Sequence, residues 1–131
     1  RGGTGLFSTI NDYQLFSNFL LDGKDKNGSS LISKSMHDFM LTNRISDHLL
    51  PLRLGPVSLS GYGWNLIGRV MINKGSAMSL SENGEFGWSG AAKTFFWIDR
   101  KNQLTGIIMT QYIGGHLTIS DEFRAASYSA L

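Results

Sequence analysis

The chain has 131 residues and a mass of 14.4 kDa, with 41% hydrophobic and 11% aromatic residues, enough apolar side chain for one folded unit with a core. The absence of cysteine excludes disulfides, thiolate nucleophiles and cysteine-based metal or cluster sites. Twelve Lys and Arg against ten Asp and Glu leave a net charge of +2, and the basic residues stand singly (Lys24, Lys34, Arg44, Arg53, Arg69, Lys74), so no nucleic acid partner is expected. No stretch approaches the ~18 consecutive apolar residues of a transmembrane helix, so no membrane span is expected, and the compartment stays open.

In chain order, Thr9 and Asp12 fit a capping box, in which hydroxyl and carboxylate each satisfy a free backbone donor at a helix start. Ile10, Tyr13, Phe16, Phe19 and Leu20 then recur at the spacing of one buried helix face, ending before Asp22-Gly23 and the turn run Asp25–Gly28. A second helix is predicted from about Ser33 to Asn43, capped by Ser33 or Ser35, with Met36, Phe39 and Met40 facing inward. Residues 44–60, broken by Pro51 and Pro56, read as a connection with one short strand. From Gly61 the period becomes two: Tyr62, Trp64, Leu66, Val70 and Ile72 alternate, the pattern of a half-buried strand. Two apolar runs, Thr94–Ile98 and Leu104–Gln111, flank a polar loop and predict an antiparallel hairpin. Ser120 and the acidic pair Asp121-Glu122 open a last helix to about Ala130. Helix, helix, three strands and helix, without βαβ alternation, predict the α+β class: an antiparallel sheet flanked by helices.

His37, His48 and His116 lack metal-ligand spacing, so no metal site is expected, and each reads as a structural, hydrogen-bonded group. Aligning Gly28 with the required glycine of a calcium loop puts Lys34 at the bidentate position, which rules that reading out. No phosphate-cradling glycine loop occurs. Asn27-Gly28-Ser29 has the form of a glycosylation sequon, but its turn role is the better reading. Gly87-Trp88-Ser89-Gly90-Ala91 nearly forms a nucleophile elbow, but the aromatic and β-branched residues after it predict a strand where the elbow needs a helix. On composition alone the segment is a glycine-rich approach to a strand.

The run Gly84–Asp99, continued by Leu104–Gln111, resembles the C-terminal portion of the serine β-lactamase-related hydrolases, which include class C β-lactamases, D-alanyl-D-alanine peptidases and family VIII esterases. Gly3-x-Gly5-Leu6-x-Ser8-Thr9 with Asp12-Tyr13 and Phe16, Leu31-Ile32-Ser33, and Gly61-Tyr62-Gly63-Trp64 resemble further segments of that family, in its order. The resemblance implies a partial β-lactamase/transpeptidase-like fold and hydrolysis through an acyl-serine, without cofactor. It places Trp88-Ser89-Gly90 at the third motif, often K-T-G, as the substrate-binding strand, and makes the Ala91 backbone N–H an oxyanion-hole donor. Trp88 in place of lysine removes a cation for a substrate carboxylate, which favours a small ester or amide over a β-lactam.

The other two motifs are missing: no lysine has serine three residues before it, and no tyrosine has asparagine two residues after it. In the family both lie upstream, so the resemblance implies that residues 1–131 are the C-terminal portion of one domain whose nucleophile is not in this chain. Such a portion is expected to be inactive alone, and to bind its missing N-terminal part or self-associate through an exposed sheet face. Two other readings are a complete non-catalytic binding module on the same scaffold, and an independent hydrolase with Ser89 as nucleophile.

Overall fold

The computed structural model describes residues 5–115 and 117–131; of the positions singled out above, Gly3 and His116 lie outside them. Helix α1 (Ile10–Asp22) begins where the Thr9 hydroxyl accepts the Asp12 N–H at 3.1 Å, and ends where the Gly23 N–H closes on the Phe19 carbonyl. The capping-box geometry is only half as expected, because the Asp12 carboxylate takes the Thr9 hydroxyl proton rather than a backbone donor. The turn after α1 is an Asx turn: the Asp25 carboxylate accepts the N–H groups of Asn27 and Ser29, the turn role expected of the sequon.

Helix α2 (Lys34–Leu41) is capped by the Ser33 hydroxyl on the Met36 N–H. Its phase corrects the sequence reading. His37 and Leu41 are buried, whereas Met36 and Phe39 are half exposed. A histidine can occupy the inner face because its Nε2–H donates to the Leu20 carbonyl at 2.9 Å. On α1, likewise, Leu20 and Ser17 are buried while Ile10 and Phe16 remain largely exposed.

A 3-10 turn (Asp47–Leu49) leads to a small hairpin, β1 (Leu52–Leu54) with β2 (Val57–Leu59), where one strand was expected. The period-two stretch is not one strand but the hairpin of β3 (Tyr62–Trp64) and β4 (Arg69–Met71). The buried Asn65 reverses the chain: its side-chain oxygen accepts the Ile67 and Gly68 N–H groups, and its amide donates to the Leu41 carbonyl. Apolar alternation runs on through the turn, so spacing alone does not reveal it. A one-turn helix α3 (Lys74–Ala77) precedes β5 (Phe86–Ser89), and the predicted hairpin follows as β6 (Phe95–Asp99) and β7 (Leu104–Ile108). Helix α4 (Ile119–Ser129) starts slightly earlier than expected; its N-cap is Thr118, whose carbonyl already accepts the Asp121 and Glu122 N–H groups, so Ser120 lies in the first turn.

The main sheet is an antiparallel meander, β3-β4-β5-β6-β7. Side chains alternate between its faces. Val70, Phe86, Phe96 and Ile98 meet Leu20 of α1 and Leu41 of α2 in the principal core. On the other face Trp97 is fully buried and meets Phe123 of α4 edge-on at 5.5 Å between ring centroids. Helices α1 and α2 thus pack on one face and α4 on the other; exposed apolar residues occur on the outer sides of α1 and α2 and also at Phe7, Val57, Leu66, Met78 and Ile113.

Gly106 on β7 lets the Trp97 indole lie flat across the strand, since a Cβ there would fall 2.0 Å from the ring. Gly106→Ala must displace Trp97, an overpacking cost of about 1–3 kcal/mol that a shift in urea midpoint at constant m-value measures.

Two buried carboxylates anchor α4. Glu85, 0% exposed, receives the Ser81 hydroxyl at 2.6 Å and pairs with Arg124 at 3.2 Å and Arg69 at 3.6 Å. Asp99 accepts the N–H groups of Lys101, Asn102 and Glu82, the Asn102 amide, and the Tyr128 hydroxyl at 2.9 Å. Burial alone would raise the Asp99 pKa, but the hydrogen bonds from Asn102, Tyr128 and Glu82 outweigh it and hold the carboxyl below its usual range. The folded-state pKa being depressed, this contribution is full above the unfolded value of about 3.9 and disappears as pH falls through the folded value. Urea midpoints measured down from about pH 5 should therefore fall more steeply for the native protein than for Asp99→Ala.

Candidate active-site cleft

Strand β5 is the middle strand of the five. On one edge β4 accompanies it only to Gly87, while on the other β6 continues to Ser89, so the last residues of β5 have one open edge. Trp88 pairs across the sheet with Phe96, on the α1 side, and its indole meets Trp64 edge-on at 4.6 Å. Ser89, Gly90 and Ala91 are exposed at the strand end.

The turn into β6 is tight. The Gly90 N–H donates to the Thr94 carbonyl at 2.8 Å, and the Lys93 N–H to the Gly90 carbonyl at 3.0 Å. The segment after β7 pins it, with the Thr110 hydroxyl and the Tyr112 N–H both donating to the Ala92 carbonyl. Gly90 has a closer reason than substrate approach: a Cβ there would lie 2.4 Å from the Thr94 Oγ1. Ala91 stands at the second position of the turn, and its N–H donates to no group among the described residues.

Between this turn and the start of α1 lies a cleft of about 550 Å³, with Tyr13, Trp88, Ser89, Gly90, Phe96 and Met109 among its walls. No charged side chain lines it among the described residues. Ser89 thus has no histidine, lysine or carboxylate in the cleft to take its proton, and a serine without a base is a poor nucleophile. The structure places Trp88, Ser89 and Gly90 in the cleft wall and Ala91 in the adjoining turn. The sequence reading put Tyr13 on the buried face of a helix that by resemblance flanks the cleft, but did not single it out as a cleft residue; its hydroxyl, amid otherwise apolar positions, was the available signal. Burial pushes the Tyr13 phenol pKa above its usual value.

A larger hollow, about 760 Å³, lies at the opposite end of the sheet beside Asp38 and Arg100. Its charges largely satisfy one another, since Asp38 receives both Lys34 and Arg100, and it is remote from the Trp88-Ser89-Gly90 strand end. Among the described residues no group of three His, Asp or Glu side chains could hold a metal ion. No described helix is long and apolar enough to cross a membrane.

Helices on both faces of an antiparallel meander, with a cleft at the end of its middle strand, define an α+β fold of the β-lactamase-like kind. A solved structure described as EstCE1, a hydrolase with promiscuous acyltransferase activity, matches it with a TM-score of 0.71 and 18% identity over 89% of this chain. The family model described as Beta-lactamase matches residues 1–127, and the chain belongs to that family. It spans 29% of the length of the EstCE1 chain. No curated protein matches the sequence.

Proposed function

We propose that this chain is the C-terminal part of a β-lactamase-like serine hydrolase that cleaves an uncharged ester or amide through an acyl-serine. The observation that carries this reading is that no charged residue lines the cleft among the described residues, while the Ala91 N–H, between the lining residues Gly90 and Ala92, is uncommitted. In the proposed reaction a serine outside this chain attacks the substrate carbonyl, and the Ala91 N–H donates to the oxygen that becomes negative. The tetrahedral adduct collapses, the alcohol or amine leaves with a proton, and water then releases the acid. Trp88 forms the wall where a lysine would otherwise select a carboxylate. With the family's nucleophile outside this chain and no base lining the cleft beside Ser89 among the described residues, residues 1–131 alone are inactive in this reading, and the missing part of the domain is their partner.

The test is the intact mass of the protein expressed from its natural gene, after exposure to a fluorophosphonate. A species well above 14.4 kDa, carrying one adduct upstream of Arg1, is the expected result. An unlabelled species at 14.4 kDa overturns it in favour of a non-catalytic binding module, and an adduct on Ser89 transfers the chemistry to this chain.

A further inference from the structure

Tyr13 enters the cleft from the first turn of α1, with its ring held edge-on against Phe96 at 5.3 Å and Phe16 at 5.8 Å between centroids. These contacts fix the ring, so its hydroxyl has a defined position. That hydroxyl hydrogen-bonds to no group among the described residues, although the residue is half-buried in the cleft wall. Trp88, Phe96, Ile107 and Met109 supply aromatic or aliphatic surface around it. A phenol is protonated at neutral pH and burial raises its pKa further, so the hydroxyl is available as a donor.

We infer that Tyr13 is a specificity-determining residue of this cleft, its hydroxyl donating to a hydrogen-bond acceptor within the substrate's acyl group. The inference rests on the hydrolase reading above and goes beyond it by assigning the acyl group's chemistry: compact, uncharged, and carrying an ether or hydroxyl oxygen on an otherwise apolar chain. The acyl side is assigned to the cleft because the acyl group stays bound through the acyl-serine stage, whereas the leaving group departs. A donor in apolar surroundings discriminates strongly, since a substrate that cannot meet it leaves it desolvated and unpaired.

The experiment compares two nearly isosteric esters, p-nitrophenyl methoxyacetate and p-nitrophenyl butanoate, on the protein expressed from its natural gene and on its Tyr13→Phe variant. The phenyl ring retains the contacts with Phe96 and Phe16, and a thermal melt verifies that the fold is intact. The intrinsic reactivity difference between the esters cancels when the ratio of their kcat/KM values is compared between the two proteins. The expected result is that the methoxyacetate-to-butanoate ratio falls about tenfold in Tyr13→Phe, the effect of one hydrogen bond. An unchanged ratio in an active, folded variant overturns the role of Tyr13 and leaves the hydrolase reading standing. A wild-type protein that cleaves neither ester overturns both.

Discussion

Glu85→Ala lowers the stability of the fold by about 3–5 kcal/mol, a large part of the total available to a protein of this size. The cost does not come from cavity volume. It comes from Arg69 and Arg124, which are left largely buried without their shared counter-charge. Burial by itself lowers the Arg124 pKa and the Glu85 carboxylate outweighs it, so Glu85→Ala removes the compensation for burial, while the guanidinium, which does not deprotonate in proteins, stays charged. The stacking of Arg69 over the Tyr62 ring, at 4.4 Å, offsets only part of the loss. Urea unfolding measures the effect. Converting the whole group together, with Glu85→Leu, Arg69→Met and Arg124→Met, should restore much of the stability, because no charge then remains unpaired. If Glu85→Ala alone costs less than about 1 kcal/mol, the ion-pair anchor of α4 is not what the geometry indicates.

Ala91→Pro in the protein expressed from its natural gene lowers kcat by about 10²–10³-fold while leaving the fold in place. The substitution suits the site. Ala91 is the second residue of a turn closed by the bond from the Lys93 N–H to the Gly90 carbonyl, a position where proline is favoured, and the N–H that proline removes bonds to nothing else described. The change therefore deletes one donor at the proposed oxyanion and little besides. Ala91→Gly, which keeps the N–H, loses far less. A loss below threefold for Ala91→Pro, with an unaltered melt, would remove Ala91 from the proposed oxyanion hole.

Much of the architecture was legible in local signals. Thr9, Ser33 and the β6–β7 hairpin announce themselves because caps and hairpins depend on residues a few positions apart. The β3–β4 turn was hidden because Asn65 acts through its side chain and is secured by the Leu41 carbonyl, a partner far away in sequence. The inward side of α2 was misread for a similar reason. Met36 and Phe39 are the more apolar residues, but docking turns His37 inward, where the Leu20 carbonyl satisfies it. Hydrophobicity ranks residues, whereas burial follows the partners that the fold supplies.

The same division holds at the cleft. The sequence by itself determined the family resemblance, the α+β class and the Trp88–Ala91 segment, because these are properties of residue order along one strand and its turn. Only the tertiary structure decided that no charged residue lines the cleft beside Ser89 among the described residues, and that Tyr13 shares a cleft with Trp88. Those facts depend on distances between segments that sequence spacing does not encode: Tyr13 and Trp88 become neighbours only when α1 packs across β6 and β7, driven by burial of Leu20 against Phe96 and Ile98.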